Sequence, residues 1–120
     1  MKPHIDRTGF GSITIGGEEY DHDVVIGLDG MVRKRRKKLS KAVYGSSHTV
    51  SLEEAENIYD KDAETLIIGT GQSGYVRLSE EAEQFFQRKE CRCKLAPTPE
   101  ALKAWNQATG RTIALFHVTC

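Results

Sequence analysis

"ETLIIGTGQSG", residues 64–74, joins an apolar run of strand length to three glycines spaced G-x-G-x-x-G. The unbroken run predicts a strand covered on both faces, as in a parallel sheet. The glycine spacing is that of a dinucleotide-binding turn, in which a helix opens directly after the third glycine and faces a pyrophosphate. Here Gly74 is followed by "YVRLS", and the next helix signal is Ser79. The end of the next strand, in "CRCKLAPTP" (91–99), offers no acid for ribose hydroxyls, and no G-K-[ST] completes a P-loop. Two readings of the loop remain. Its amides could converge as a nest on a carboxylate or phosphate. Alternatively, the glycines permit only a tight strand exit at positive φ.

Toward the C-terminus, helix and strand signals alternate. Ser79 can cap a helix with Glu80 and Glu81 in its first turn, burying Ala82, Phe85 and Phe86. "CRCKLA" (91–96) reads as a strand. Thr98 then caps a helix with Pro99 at its first position, an apolar face of Ala101, Leu102, Trp105 and Ala108, and a stop at Gly110. "TIALFHV" (112–118) is the last strand. Upstream, Ser51 and Glu54 form a capping box, with Leu52, Ala55, Ile58 and Tyr59 on one helical face. The first third predicts an antiparallel meander of three strands. Ile13 and Ile15 lie on the first, Gly16-Gly17 is a hairpin turn, "DVVIG" (23–27) is the second strand, and the basic run forms the third. The order is β-β-β-α-β-α-β-α-β. Its second half implies parallel strands with right-handed crossovers.

At 120 residues the chain predicts one domain, able to bury roughly two-thirds of its unfolded surface without metal or disulfide. Its 38% hydrophobic and 28% charged residues are those of a soluble globular protein. No run approaches the ~20 apolar residues of a membrane span. "MKPHIDRTGF" (1–10) lacks the apolar core of a signal peptide, and three cysteines make no secreted disulfide framework. Cytoplasmic, reduced thiols are expected.

Net charge is zero, but residues 1–50 hold 9 Lys/Arg against 6 Asp/Glu, with most of the excess in Arg33–Lys38. On a strand the run would turn Arg33, Arg35 and Lys37 one way and Lys34, Arg36 and Lys38 the other. No stacking aromatics are interleaved, so nucleic acid is not the expected partner. Such charges commonly serve as a solvated edge that blocks aggregation. The histidines are scattered, and no four-ligand metal spacing exists. His117 and Cys120, spaced H-x-x-C, would fall on opposite faces of a continued strand. Cys91 and Cys93 would share a face, too far apart for an easy disulfide. "YGSSHTVS" (44–51) is a polar loop rich in hydroxyls.

Taken in order, "YDHDVVIGLDG", the basic strand, "GSSHTVSLEEAE", "ETLIIGTGQSG", "APTPEALKAWNQ" and "FHVTC" resemble the Mth-domain family. That family of unknown function includes an adipogenesis-associated member and, more remotely, a mitochondrial complex I assembly factor. The resemblance implies a compact three-layer α/β domain with a mixed central sheet, in agreement with the antiparallel N-terminal hairpins and following βαβαβ read from the residues. It carries no catalytic residues over to this chain. The assembly-factor relatives have a mitochondrial targeting segment, which this N-terminus lacks.

The combined expectation is a binding or assembly module with a protein partner, rather than an enzyme, holding no cofactor or metal. The alternative is a small-anion or nucleotide-phosphate site. It would be built from Gly69, Thr70, Gly71, Gln72, Ser73 and Gly74 with Arg33, Arg35 and His48.

Overall fold

The apolar run at residues 64–70 forms an inner strand, Thr65–Thr70, of a five-stranded mixed sheet. The structure, a computed structural model, describes residues 2–120. Its elements are β1 (Ile5–Gly9), β2 (Ser12–Ile15), β3 (Glu18–Tyr20), β4 (Val24–Ile26), β5 (Val32–Lys34), α1 (Lys38–Tyr44), β6 (Thr49–Val50), α2 (Leu52–Ile58), β7 (Thr65–Thr70), β8 (Arg77–Leu78), α3 (Glu80–Arg88), β9 (Arg92–Ala96), α4 (Thr98–Gln107) and β10 (Thr112–His117).

The central sheet has the order β5-β4-β10-β7-β9. β7 is parallel to β10 and β9, whereas β4 is antiparallel to β10 and to β5. The last strand of the chain therefore lies at the sheet's centre. Because strand side chains alternate faces, the apolar runs of β7, β10 and β4 supply two cores. Leu66, Ile68, Ile113, Leu115 and Val25 pack under α2 and α3 with Ala55, Ile58, Phe85 and Phe86. Ile67, Ala114, Phe116, Val24 and Ile26 pack under α4 and the separate β1-β2-β3 sheet with Ile5, Ile13, Ile15 and Trp105. The expected three-layer α/β arrangement with a mixed sheet is present.

The first third departs from a three-strand meander. It holds five strands in two sheets, the additional ones being β1 and β3. Gly16 and Gly17, with φ of 57° and 83°, make the β2–β3 turn. The basic run is a strand only as far as Lys34. Arg35 then turns into the core, and from Lys38 the chain forms a short helix that the charge pattern concealed. Within the polar loop, Thr49–Val50 pairs in parallel with Arg77–Leu78. Thr98 is not the cap of α4. Pro97 occupies that position, and its carbonyl accepts the amides of Glu100 and Ala101. No helix among the described residues is long and apolar enough to cross a membrane.

Candidate functional site

A buried polar chain crosses the molecule at the carboxyl ends of β7 and β10. Arg35 is only 3% exposed, and its guanidinium donates all round. Nε donates to Glu54 Oε2 at 2.5 Å and Nη2 to Glu54 Oε1 at 2.9 Å. Nη1 donates to Asp23 Oδ2 at 2.9 Å, and Nη2 also to the Ser47 carbonyl at 2.7 Å. Burial opposes the Arg35 charge, but Glu54 first and then Asp23 outweigh it and raise its pKa. The capping box is thereby half dismantled. Ser51 Oγ does accept the Glu54 amide, but the Ser51 amide donates to Ser40 Oγ while the Glu54 carboxylate takes Arg35 and the Ser40 hydroxyl.

Asp23 continues the chain. Its Oδ1 accepts the Val118 amide, and its Oδ2 accepts His117 Nδ1 at 2.7 Å. Burial pushes this carboxyl up, yet the hydrogen bond and charge of His117, the Val118 amide and Arg35 together bring it down to about 2. When the ring is neutral, an ionised Asp23 fixes the proton of His117 on Nδ1 and leaves Nε2 as an acceptor. The Thr119 hydroxyl, 3.1 Å away, donates to it. His48 stands edge-on to the same ring, with centroids 5.6 Å apart, and its Nε2 lies 3.7 Å from Cys120 Sγ. Donor atoms of His48, His117 and Cys120 all lie within 4.8 Å of one another.

The glycine loop closes this end by close packing. A side chain at Gly69 would place its Cβ 2.7 Å from Phe116 Cδ1 and 2.8 Å from Thr98 Oγ1. At Gly71, with φ of 106°, a Cβ would meet the Cys120 carbonyl carbon at 2.5 Å and His117 Cδ2 at 2.8 Å. Two of the loop's amides, and that of Tyr75 beyond it, are also engaged. Gly71 donates to Thr98 Oγ1, Gln72 to the Thr119 carbonyl and Tyr75 to the Cys120 carbonyl. Thr98 in turn donates to the His117 carbonyl, so one hydroxyl ties α4, β7 and β10 together.

The residues expected to share one anion site divide into separate groups. Gly69, Thr70 and Gly71 are buried and packed against β10, α4 and the tail. Gln72 reaches across to Thr8 and the Gly9 carbonyl, while Ser73 and Gly74 lie exposed. Arg33 is on the surface, bonded to Asn57, and Arg35 is spent on Glu54 and Asp23. Only His48 comes beside the tail that the loop holds. In the sequence Asp23 passes for a polar residue at a strand start, Glu54 for a capping acid and Ser40 for a residue beyond the basic run, so none of them signals this network. The opposite-face argument for His117 and Cys120 also fails, because β10 ends at His117 and the tail turns back over Gly71.

Lys34, Arg36, Lys38 and Lys41 remain exposed beside this end, around a surface hollow of about 410 Å³. None of the four makes an ion pair among the described residues. Val43 and Tyr44, at the C-terminal end of α1, are 53% and 41% exposed, with the Tyr44 hydroxyl 3.4 Å from Glu81 Oε1.

A family model described as "Protein of unknown function (DUF498/DUF598)" matches residues 5–117. The conserved hypothetical protein PH1505 from Pyrococcus horikoshii OT3 is 38% identical, with a TM-score of 0.88 and complete coverage of both chains. The structure titled MT938 is 34% identical, with a TM-score of 0.84, over 99% of this chain and 100% of its own. A Mth938-like domain from Bordetella pertussis shares the fold at 15% identity and a TM-score of 0.62, over 97% of this chain and 85% of its own. No curated protein matches the chain.

Proposed function

The chain belongs to the DUF498/DUF598 family of proteins of unknown function, and we propose that it is a non-catalytic binding module for an acidic segment of a partner protein. The carrying observation is the hollow lined by Lys34, Arg36, Lys38 and Lys41; on α1, which carries the last two, Val43 and Tyr44 are also exposed. Four cations with no acidic partner among the described residues keep a hollow positive, while Arg35 in their midst is neutralised inward by two carboxylates. Opposite charge on the partner sets the encounter, and the exposed Val43 and Tyr44 supply the apolar contact that holds it. A strip of alternating acidic and apolar residues is the complementary chemistry.

Fluorescence anisotropy with a labelled Glu/Leu-rich peptide tests this reading. Binding is expected, and reversing Lys34, Lys38 and Lys41 to Glu should weaken it at least tenfold. Tyr44→Ser should weaken it at unchanged salt dependence. Equal binding of duplex DNA, with log Kd varying with log salt at a slope of about 0.9 per phosphate contacted, would transfer the surface to nucleic acid. Binding of inorganic phosphate that competes with the peptide would favour the small-anion alternative. No binding of the peptide would end the proposal.

A further inference from the structure

We propose that His48, His117 and Cys120 form a binding site for a thiophilic divalent metal ion of the zinc type. The donors come from three segments: the connection between α1 and β6, the end of β10, and the tail beyond it. They meet within 4.8 Å, with Cys120 Sγ 3.7 Å from His48 Nε2. Tetrahedral zinc, with bonds of about 2.0–2.3 Å, holds its N and S donors roughly 3.3–3.6 Å apart. A closure of about 1 Å at the widest pair brings the three to that geometry. Three donors leave one position for water or an outside group.

A second, independent feature is the support behind His117. A metal-bound imidazole gives its other N–H to a carboxylate, a backbone carbonyl or water, which fixes the tautomer and raises the basicity of the ligating nitrogen. Asp23 Oδ2 accepts that proton from Nδ1 and is itself held by Arg35 Nη1, while Asp23 Oδ1 takes the Val118 amide. His117 Nε2 is therefore presented as a donor toward His48 and Cys120, and the Thr119 hydroxyl that now points at it rotates away when the ion enters. Entry is from the side of His48 and Cys120, both half-buried, since His117 is enclosed. Gly71 permits the closure, because any Cβ there would strike both His117 and the Cys120 backbone. Cys91 and Cys93 lie under α3 in the other core and do not take part.

The test uses the full chain, reduced and stripped with a chelator, titrated with Co²⁺ and then Zn²⁺. A thiolate-to-cobalt charge-transfer band is expected, displaced by zinc, absent in Cys120→Ser and retained in Cys93→Ser. Asp23→Asn should weaken zinc binding by about 10–100-fold. Should that variant fold poorly, the unaltered chain still decides: zinc must slow iodoacetamide modification of Cys120, mapped by mass spectrometry, at least tenfold. Absence of the band, its persistence in Cys120→Ser, or Cys120 alkylation indifferent to zinc would each overturn the site. The peptide-binding surface is unaffected by any of these results.

Discussion

His117 Nδ1 lies 2.7 Å from Asp23 Oδ2, although 94 residues separate the two in the chain. The contact joins the start of β4 to the end of β10 and, with the Val118 amide and Arg35, holds the Asp23 carboxyl down at about 2 against burial, where 3.8 is ordinary. A carboxyl with a depressed folded pKa contributes stability above its unfolded pKa and loses it as the pH falls through the folded one. On the order of 2 kcal/mol is therefore expected to disappear between about pH 4 and pH 2. Urea unfolding followed across that range should show the decline in the native protein and a flatter profile in Asp23→Asn.

Arg35 and Arg33, two residues apart, should behave oppositely on removal. Arg35→Met strands Glu54 without a counter-charge and leaves Asp23 only His117 and the Val118 amide, and breaking such a buried pair costs about 3–5 kcal/mol. Arg33→Met gives up surface hydrogen bonds to Asn57 and should cost within about 0.5 kcal/mol. Chemical denaturation midpoints at neutral pH measure both. Equal effects would contradict the burial difference.

Two of the loop glycines should rank by what a Cβ would meet. Gly71→Ala combines a φ of 106° with a 2.5 Å approach to the Cys120 backbone, so a loss of about 2–4 kcal/mol is expected. Gly74→Ala, also at positive φ but with no atom nearer than 3.6 Å, should lose about 1–2 kcal/mol. Limited proteolysis should find the tail released in the first variant and retained in the second.

Burial pushes the Cys91 thiol up to about 11 and the Cys93 thiol up to about 12, with Cys91 and Glu83 adding to the rise at Cys93. Both should resist alkylation at pH 8 in the folded protein and react readily in urea. Thiols raised in the fold stabilise it below their unfolded pKa, so stability should fall as the pH climbs from about 9 toward 11. A pH series in a Cys91→Ala/Cys93→Ala double variant should lack that decline.

Local pattern carried much of the fold. The apolar runs of β7 and β10, the Ser79 cap and the apolar faces of α2, α3 and α4 were legible because burial periodicity is a property of neighbouring residues. Where side chains choose distant partners, the same pattern misled. Glu54 resembles a capping acid until Arg35 claims it, and Thr98 resembles a cap until the His117 carbonyl and the Gly71 amide claim its hydroxyl. The basic run reads as one strand until Arg35 turns inward and the chain reverses into α1.

The sequence alone determined a mixed α/β sheet protein, its helix faces and the strand ahead of the glycines, since hydrophobic periodicity and turn residues act over a few positions. It also posed the question of those glycines without answering it. Only the tertiary structure decided that they admit a returning tail against Phe116 and His117, and that Asp23, His48, His117 and Cys120 meet there. The reason is geometric: parallel pairing of β10 with β7 brings residues 70 and 117 side by side, and no local signal encodes that register.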